Sequence, residues 1–275
     1  MALKGKRVGK IIAVANQKGG VGKTTTSINL SASLAATKKA VLLVDLDPQG
    51  NATMGAGIDK NDIELSAYEV LMGECTIQDA IITADSAGFD ILGTNSDLTA
   101  AEIELLDVDE KERRLKNALE TQRDNYDYIL LDCPPSLSML TLNGLIAADS
   151  VLVPMQCEYY ALEGLADLMN TIHGVQDAVN PGLEIEGILR TMYDPRNSLT
   201  KDVSEQLNEV FGDKVYRTCI PRNVRLAEAP SHGLPAIKYD KTSRGAMAYL
   251  ALAGEILRQH QSRAKTAQNA EQTPA

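Results

Sequence analysis

The sequence predicts an α/β fold: a single domain built on a doubly wound, mostly parallel sheet flanked by helices. Short Val/Ile/Leu-rich runs alternate with longer amphipathic or small-residue-rich stretches, the rhythm of strand–helix–strand units. Several of these runs are continuously apolar, which suits strands covered on both faces. Neither an internal repeat nor a mid-chain change of composition divides the 275 residues, and a 44% hydrophobic content can fill one large core.

In chain order, strands are predicted over 10–15, 40–45, 90–93, 128–132, 150–154, 186–190 and 215–220. Helices are predicted over 23–36, 99–106, 110–123, 163–179, 201–211 and 244–260. The domain is therefore expected to span 10–260, after a flexible basic lead (1–9) and before a polar, Ala/Gln-rich tail (261–275) expected to be disordered. The apolar part of the basic start, Ile11 to Ala15, is too short for a signal-peptide core, and every other apolar run is strand-sized. Cys75, Cys133, Cys157 and Cys219 are scattered with no Cys-x-x-Cys pair, as expected of reduced thiols in a soluble cytoplasmic protein.

Between the first strand and the first helix lies NQKGGVGKTT, residues 16–25. A phosphate-binding loop reads Gly, four residues, then Gly-Lys-Ser/Thr. Gly22, Lys23 and Thr24 satisfy the second half, but Gln17 stands where the leading Gly belongs, and beside it is a further lysine, Lys18. Gly19, Gly20 and Gly22 allow the backbone to turn its N–H groups inward around a β-phosphate, and the helix starting at Lys23 adds its dipole. Lys23 is placed to reach the β/γ-phosphates and the Thr24 hydroxyl to ligate Mg²⁺.

Two acidic strand ends complete the pattern. YDYILLDCPPS runs an apolar strand into Asp132, and Pro134-Pro135 end it. A carboxylate closing so apolar a strand needs a partner, and Mg²⁺-bound water is the natural one. In VLLVDLDPQGN, period-two alternation puts Asp45 and Asp47 on one face at the carboxyl end of the strand, where ligands of such sheets bind. Asp45 reads as a brace for the adjacent loop. Asp47 is the candidate for positioning an attacking water.

KGGVGKTTT, LLVDLDPQGNAT, YDYILLDCPPSL and IPRNVRLAEAPSHG, in this order, resemble the ParA-type chromosome and plasmid partition ATPases. These form part of a larger deviant phosphate-loop (Walker A) family that includes MinD and the nitrogenase iron protein, and the likeness runs from about residue 10 to about residue 258. It implies that Lys18 is a signature lysine, delivered to the phosphates of a neighbouring protomer across an ATP-sandwiched homodimer. It also places the nucleotide site on Lys18, Gly19, Gly20, Val21, Gly22, Lys23, Thr24, Thr25 and Asp47, with Pro221 and Asn223 at the adenine. The family's cycle implies ATP and Mg²⁺ as cofactors, DNA binding without sequence preference, and slow hydrolysis stimulated by a ParB-type centromere-binding partner. With about nine residues before the first strand, an N-terminal operator-binding module is not expected.

The net charge of −10 argues against a protein coated in positive potential, yet 214–244 carries seven basic residues against Glu228 and Asp240. Arg217, Lys238, Lys241 and Arg244 are the candidates for duplex phosphate, since no aromatic interleaving offers stacking for single strands. Three rival readings fit the residues less well. A MinD-like membrane-cycling ATPase needs a C-terminal amphipathic helix, but after His260 there is no Leu, Ile, Phe or Trp. An iron-protein reading needs a second cysteine beside Cys133 for a cluster. An ATP-dependent ligase or synthase finds no small-substrate motif. No membrane partner is expected.

Overall fold

The computed structural model describes residues 8–271, with side chains described through Thr266. Most of the predicted lead (1–7) and the end of the predicted tail (272–275) lie outside the described residues. The strands are β1 (Lys10–Val14), β2 (Val41–Asp45), β3 (Ile81–Ala84), β4 (Phe89–Leu92), β5 (Tyr128–Asp132), β6 (Ser150–Gln156) and β7 (Glu184–Thr191). They form one sheet in the order β3-β4-β2-β5-β1-β6-β7, parallel throughout except for β3 against β4.

Helices cover both faces. On one lie α1 (Lys23–Ala36) and α2 (Asn51–Gly55). On the other lie α3 (Ala67–Met72), α4 (Ile77–Ala80), α5 (Leu98–Glu104), α6 (Arg114–Glu120), α7 (Met139–Ala147), α8 (Ala161–Ala178) and α9 (Ser198–Phe211). The chain then returns to the first face with α10 (Val224–Glu228), α11 (Ala236–Tyr239) and α12 (Arg244–Glu271). Alternate residues of each central strand feed opposite cores: Ile11 and Ala13 of β1 join the cluster with α7 and α8, while Ile12 and Val14 join α1 and α12. This two-sided burial is why the strands read as unbroken apolar runs. The carboxyl ends of three strands meet, with Val14 and Asp45 both register partners of Asp132.

Some elements differ from the sequence expectation. The stretch 215–220 is not a continuous strand; it meets β7 at isolated points, a bridge from Val215 to Ile188 and the Tyr216 and Ile220 N–H groups donated to the Ile188 and Arg190 carbonyls. Between those points side chains take its backbone groups: Arg190 donates to the carbonyls of Tyr216 and Arg217, and Glu255 accepts from the N–H groups of Arg217 and Thr218. α6 begins at Arg114, later than predicted, because Glu110 has φ +53, outside the helical region. α7 was not anticipated: buried over most of its surface, it shows no polar face to mark the helical period. The last helix continues past His260 to Glu271, through Arg263, Ala264 and Lys265, all good helix formers, where a disordered tail was expected.

Candidate functional site

β1 delivers the loop and α1 receives it. Gly20 (φ +74) and Gly22 (φ +89) take left-handed backbone that favours glycine, whereas Gly19 does not. Gly22 forms the N-cap of α1 without any side-chain cap, so the first N–H groups of the helix are left for a ligand. Gln17, at the position of the usual leading Gly, is tied away from the loop by a hydrogen bond to Thr171 on α8 (3.0 Å). Asn16 anchors the strand side, donating to the Pro154 carbonyl and accepting from the Lys18 N–H.

The two lysines occupy different surroundings. Lys23 is buried, and its Nζ donates back to the Lys18 carbonyl (3.2 Å). Burial pushes its pKa down, against the opposing pull of Asp132, Cys133 and Asp47. Lys18 is exposed, and its Nζ sits 2.7 Å from Glu158 just beyond β6.

Asp132 is wholly buried at the end of β5. Its Oδ1 accepts from Ser27 on α1 (2.7 Å), while its Oδ2 is buried without a hydrogen-bond partner. Burial, then the neighbouring Asp45 charge, pushes its pKa upward. An orphaned carboxylate oxygen beneath the Thr24 helix turn fits a hydrated divalent cation, which would satisfy that oxygen and relieve the repulsion.

Asp45 and Asp47 do not share an environment as the alternation predicted. β2 ends at Asp45, which is fully buried and accepts from the Thr53 N–H (2.8 Å), the Thr53 hydroxyl (2.7 Å) and the Asp47 N–H (3.2 Å). It braces the turn into α2. Asp47 lies past the strand, partly exposed, with Oδ1 accepting only from the Gln49 N–H, so the open carboxylate is Asp47. Cys133 is buried and its thiol is pushed up by that burial, so it packs rather than reacts.

Beside the loop, a pocket of about 260 Å³ is lined by Gly22, Thr25, Met192, Pro221, Asn223 and Tyr249. The structure thus brings Pro221 and Asn223 next to the phosphate loop. Asn223 Oδ1 also caps α10 through the Arg225 N–H, which leaves its amide NH₂ to donate. Asn16, Gln156, Thr191 and Met192 escaped the sequence reading. Asn16 stands at the start of the loop motif and Met192 two residues past the predicted strand end at Arg190; for Gln156 and Thr191 the only signal is long-range contact.

The basic candidates gather around α12 but do not line one pocket. Lys238 and Lys241 edge a groove with Met247 and Leu250. Arg244 lies beyond Met247, and Arg217 shares a further groove with Leu250 and Arg258. Arg225 is neutralised by Glu228 (2.7 Å) and Asp240 (3.4 Å), and Lys214 donates to a backbone carbonyl.

A protein-family model described as an AAA domain matches residues 9–185. The chain is 56% identical to the sporulation initiation inhibitor protein Soj of Bacillus subtilis, over 90% of this chain and 98% of that protein. It is 50% identical to the chromosome partitioning protein ParA of Caulobacter vibrioides, over 92% of this chain and 96% of the relative. Among solved structures, cobyrinic acid a,c-diamide synthase from Mycobacterium smegmatis, with bound ATP analog and magnesium, matches with TM-score 0.81 and 40% identity, covering 93% of this chain and 97% of that one.

Proposed function

This chain belongs to the Soj/ParA family of chromosome-partitioning ATPases, and from that premise we propose that it couples ATP hydrolysis to nucleotide-dependent DNA holding. The observation that carries the reading is the juxtaposition of the Gly20–Gly22 loop, buried Lys23 and the unpartnered Oδ2 of Asp132. ATP fits with its phosphates in the loop and its base in the pocket beside Pro221 and Asn223. Magnesium, held by Thr24 and, through water, by Asp132, would neutralise charge on the β- and γ-phosphates.

Within one protomer, Lys23 draws charge from the β/γ-phosphates and the loop N–H groups cradle the β-phosphate. Asp47 holds and orients the attacking water. Lys18 leaves Glu158 and reaches the phosphates of a second copy, offsetting the charge that develops on transfer. The two nucleotides are sandwiched in the dimer, which brings two copies of the α12 face together. Arg217, Lys238, Lys241 and Arg244 then hold duplex phosphates without reading sequence. A ParB-type partner accelerates hydrolysis and so releases the DNA.

Two other readings have less support. ATP-dependent amide formation, suggested by the synthase likeness, competes with relatives of higher identity that are named for partition. For membrane cycling, no helix among the described residues is long and apolar enough to cross a bilayer, and 261–266 on α12 carries no large apolar side chain. The test is size exclusion and DNA co-sedimentation with no nucleotide, ADP, ATP and a non-hydrolysable analogue. Dimer and DNA retention confined to the ATP and analogue states support the proposal; a nucleotide-indifferent monomer that ignores DNA refutes it.

A further inference from the structure

The loop's carbonyls need holding as much as its N–H groups need aiming. In a planar trans peptide the C=O and the following N–H point in opposite directions. The Gly20 carbonyl therefore fixes the Val21 N–H, and the Val21 carbonyl fixes the Gly22 N–H. Both carbonyls are gripped from the same side. Thr191 Oγ1 has one proton and two carbonyls in reach, Val21 at 2.8 Å and Met155 at 3.1 Å, and the nearer Val21 carbonyl takes it; Gln156 Nε2 donates to the Gly20 carbonyl at 3.2 Å.

The two donors are not independent. Gln156 ends β6 and Thr191 ends β7, and they are direct register partners in that parallel ladder. Thr191 is buried, and its methyl lies 3.8 Å from where a Gly22 Cβ would stand. The Gln156 amide nitrogen also touches the sulfur of Met192. Met192 is one of few non-glycine residues with positive φ (+46) among those described, and it lines the pocket beside the loop. Strain of that kind persists where the surroundings over-determine it, and it collects at functional sites.

We propose that Thr191 and Gln156 are positioning residues for ATP binding: together they pull the loop's carbonyls toward β6 and β7 and so aim the Val21 and Gly22 N–H groups at the β-phosphate. The pair also joins the loop to the base pocket through Met192, so phosphate and base sites are set by one strand end. The contribution is to binding that ground and transition states share, which moves KM and leaves kcat.

The experiment measures equilibrium ADP affinity, with KM and kcat for ATP, in the full chain and in Thr191→Val, Thr191→Ser and Gln156→Leu. Thr191→Val removes one hydrogen bond at nearly constant volume, and ADP affinity and KM should weaken about three- to tenfold with kcat within about twofold. Thr191→Ser keeps the hydroxyl and should stay within about twofold of the parent. If Thr191→Val fails to fold, Gln156→Leu, at a partly exposed position, reads the same quantity. Unchanged ADP affinity in both variants, a serine variant as weak as the valine one, or an effect confined to kcat would overturn the proposal. ADP binding requires neither dimer nor DNA, so this result is separable from the fate of the partition reading.

Discussion

Lys18 and Lys23 carry the same charge on one loop, but burial divides their work. Lys23 is sunk in the protein, where burial disfavours its charge and Asp132, Cys133 and Asp47 offset that only in part, so in the proposed cycle it serves its own protomer's phosphates. Lys18 rests on Glu158 in an exposed ion pair, a contact worth at most about 1 kcal/mol and easily exchanged for a phosphate. Lys23→Ala should therefore abolish nucleotide binding, whereas Lys18→Ala should bind ATP as a monomer and fail to dimerise. Calorimetric titration with sedimentation velocity checks both, and equal loss of ATP binding would contradict the trans assignment. The motif residues were legible because the phosphate loop is written in consecutive letters. Thr191 and Gln156 were not, since their chemistry exists only once β6 and β7 lie side by side next to the loop.

At the level of elements, α12 is the tie between the two ends of the sheet. Its Tyr249 hydroxyl meets Thr26 of α1 at 3.0 Å, and farther along His260 reaches the buried Glu186 of β7 (2.7 Å) and the Tyr128 hydroxyl of β5 (2.9 Å). Lys10, Ser150 and Arg263 also face Glu186. Burial alone would raise that carboxyl, but the His260 hydrogen bond and charge, with Lys10 and Ser150, outweigh it and hold the pKa well below the ordinary 4.5. A carboxyl depressed in the folded state contributes stability above its unfolded pKa and loses it as pH falls below that value. Urea denaturation should therefore show the parent losing stability below about pH 4.5. Glu186→Gln should be about 1.5–3 kcal/mol less stable at pH 7 and show a shallower acid slope; identical slopes would remove Glu186 from the account.

The same scale explains which elements the sequence disclosed. β5 and α1 match their predicted bounds, because Pro134 ends one and the glycine loop opens the other. β3 is a four-residue antiparallel edge strand, too short to show a period. The stretch 215–220 has strand-like residues, but Arg190 and Glu255 take the backbone groups between its isolated bonds to β7, so no continuous ladder forms.

Across the whole molecule, an acidic chain of net charge −10 can hold DNA only by concentrating its unpaired cations. Around α12, Arg217, Lys238, Lys241 and Arg244 are exposed. Phosphate binding should weaken linearly in log salt, with a slope of about −0.9 for each phosphate neutralised. Arg217→Glu and Arg244→Glu should lower affinity and flatten that slope while ATP-driven dimerisation survives; unchanged slopes would move the DNA face elsewhere.

The central claim, that ATP makes the DNA-holding form and hydrolysis unmakes it, meets its most direct test in Asp47→Ala. This variant should bind ATP nearly as the parent does, turn over negligibly, and accumulate as a dimer. Retention of two duplexes of unrelated sequence by Asp47→Ala is the measurement, made with ATP, with ADP, and again after adding Lys18→Ala. The account predicts stable retention of both duplexes with ATP, loss with ADP, and loss with the second substitution. Retention that is indifferent to nucleotide, or a monomeric Asp47→Ala with normal hydrolysis, would contradict it.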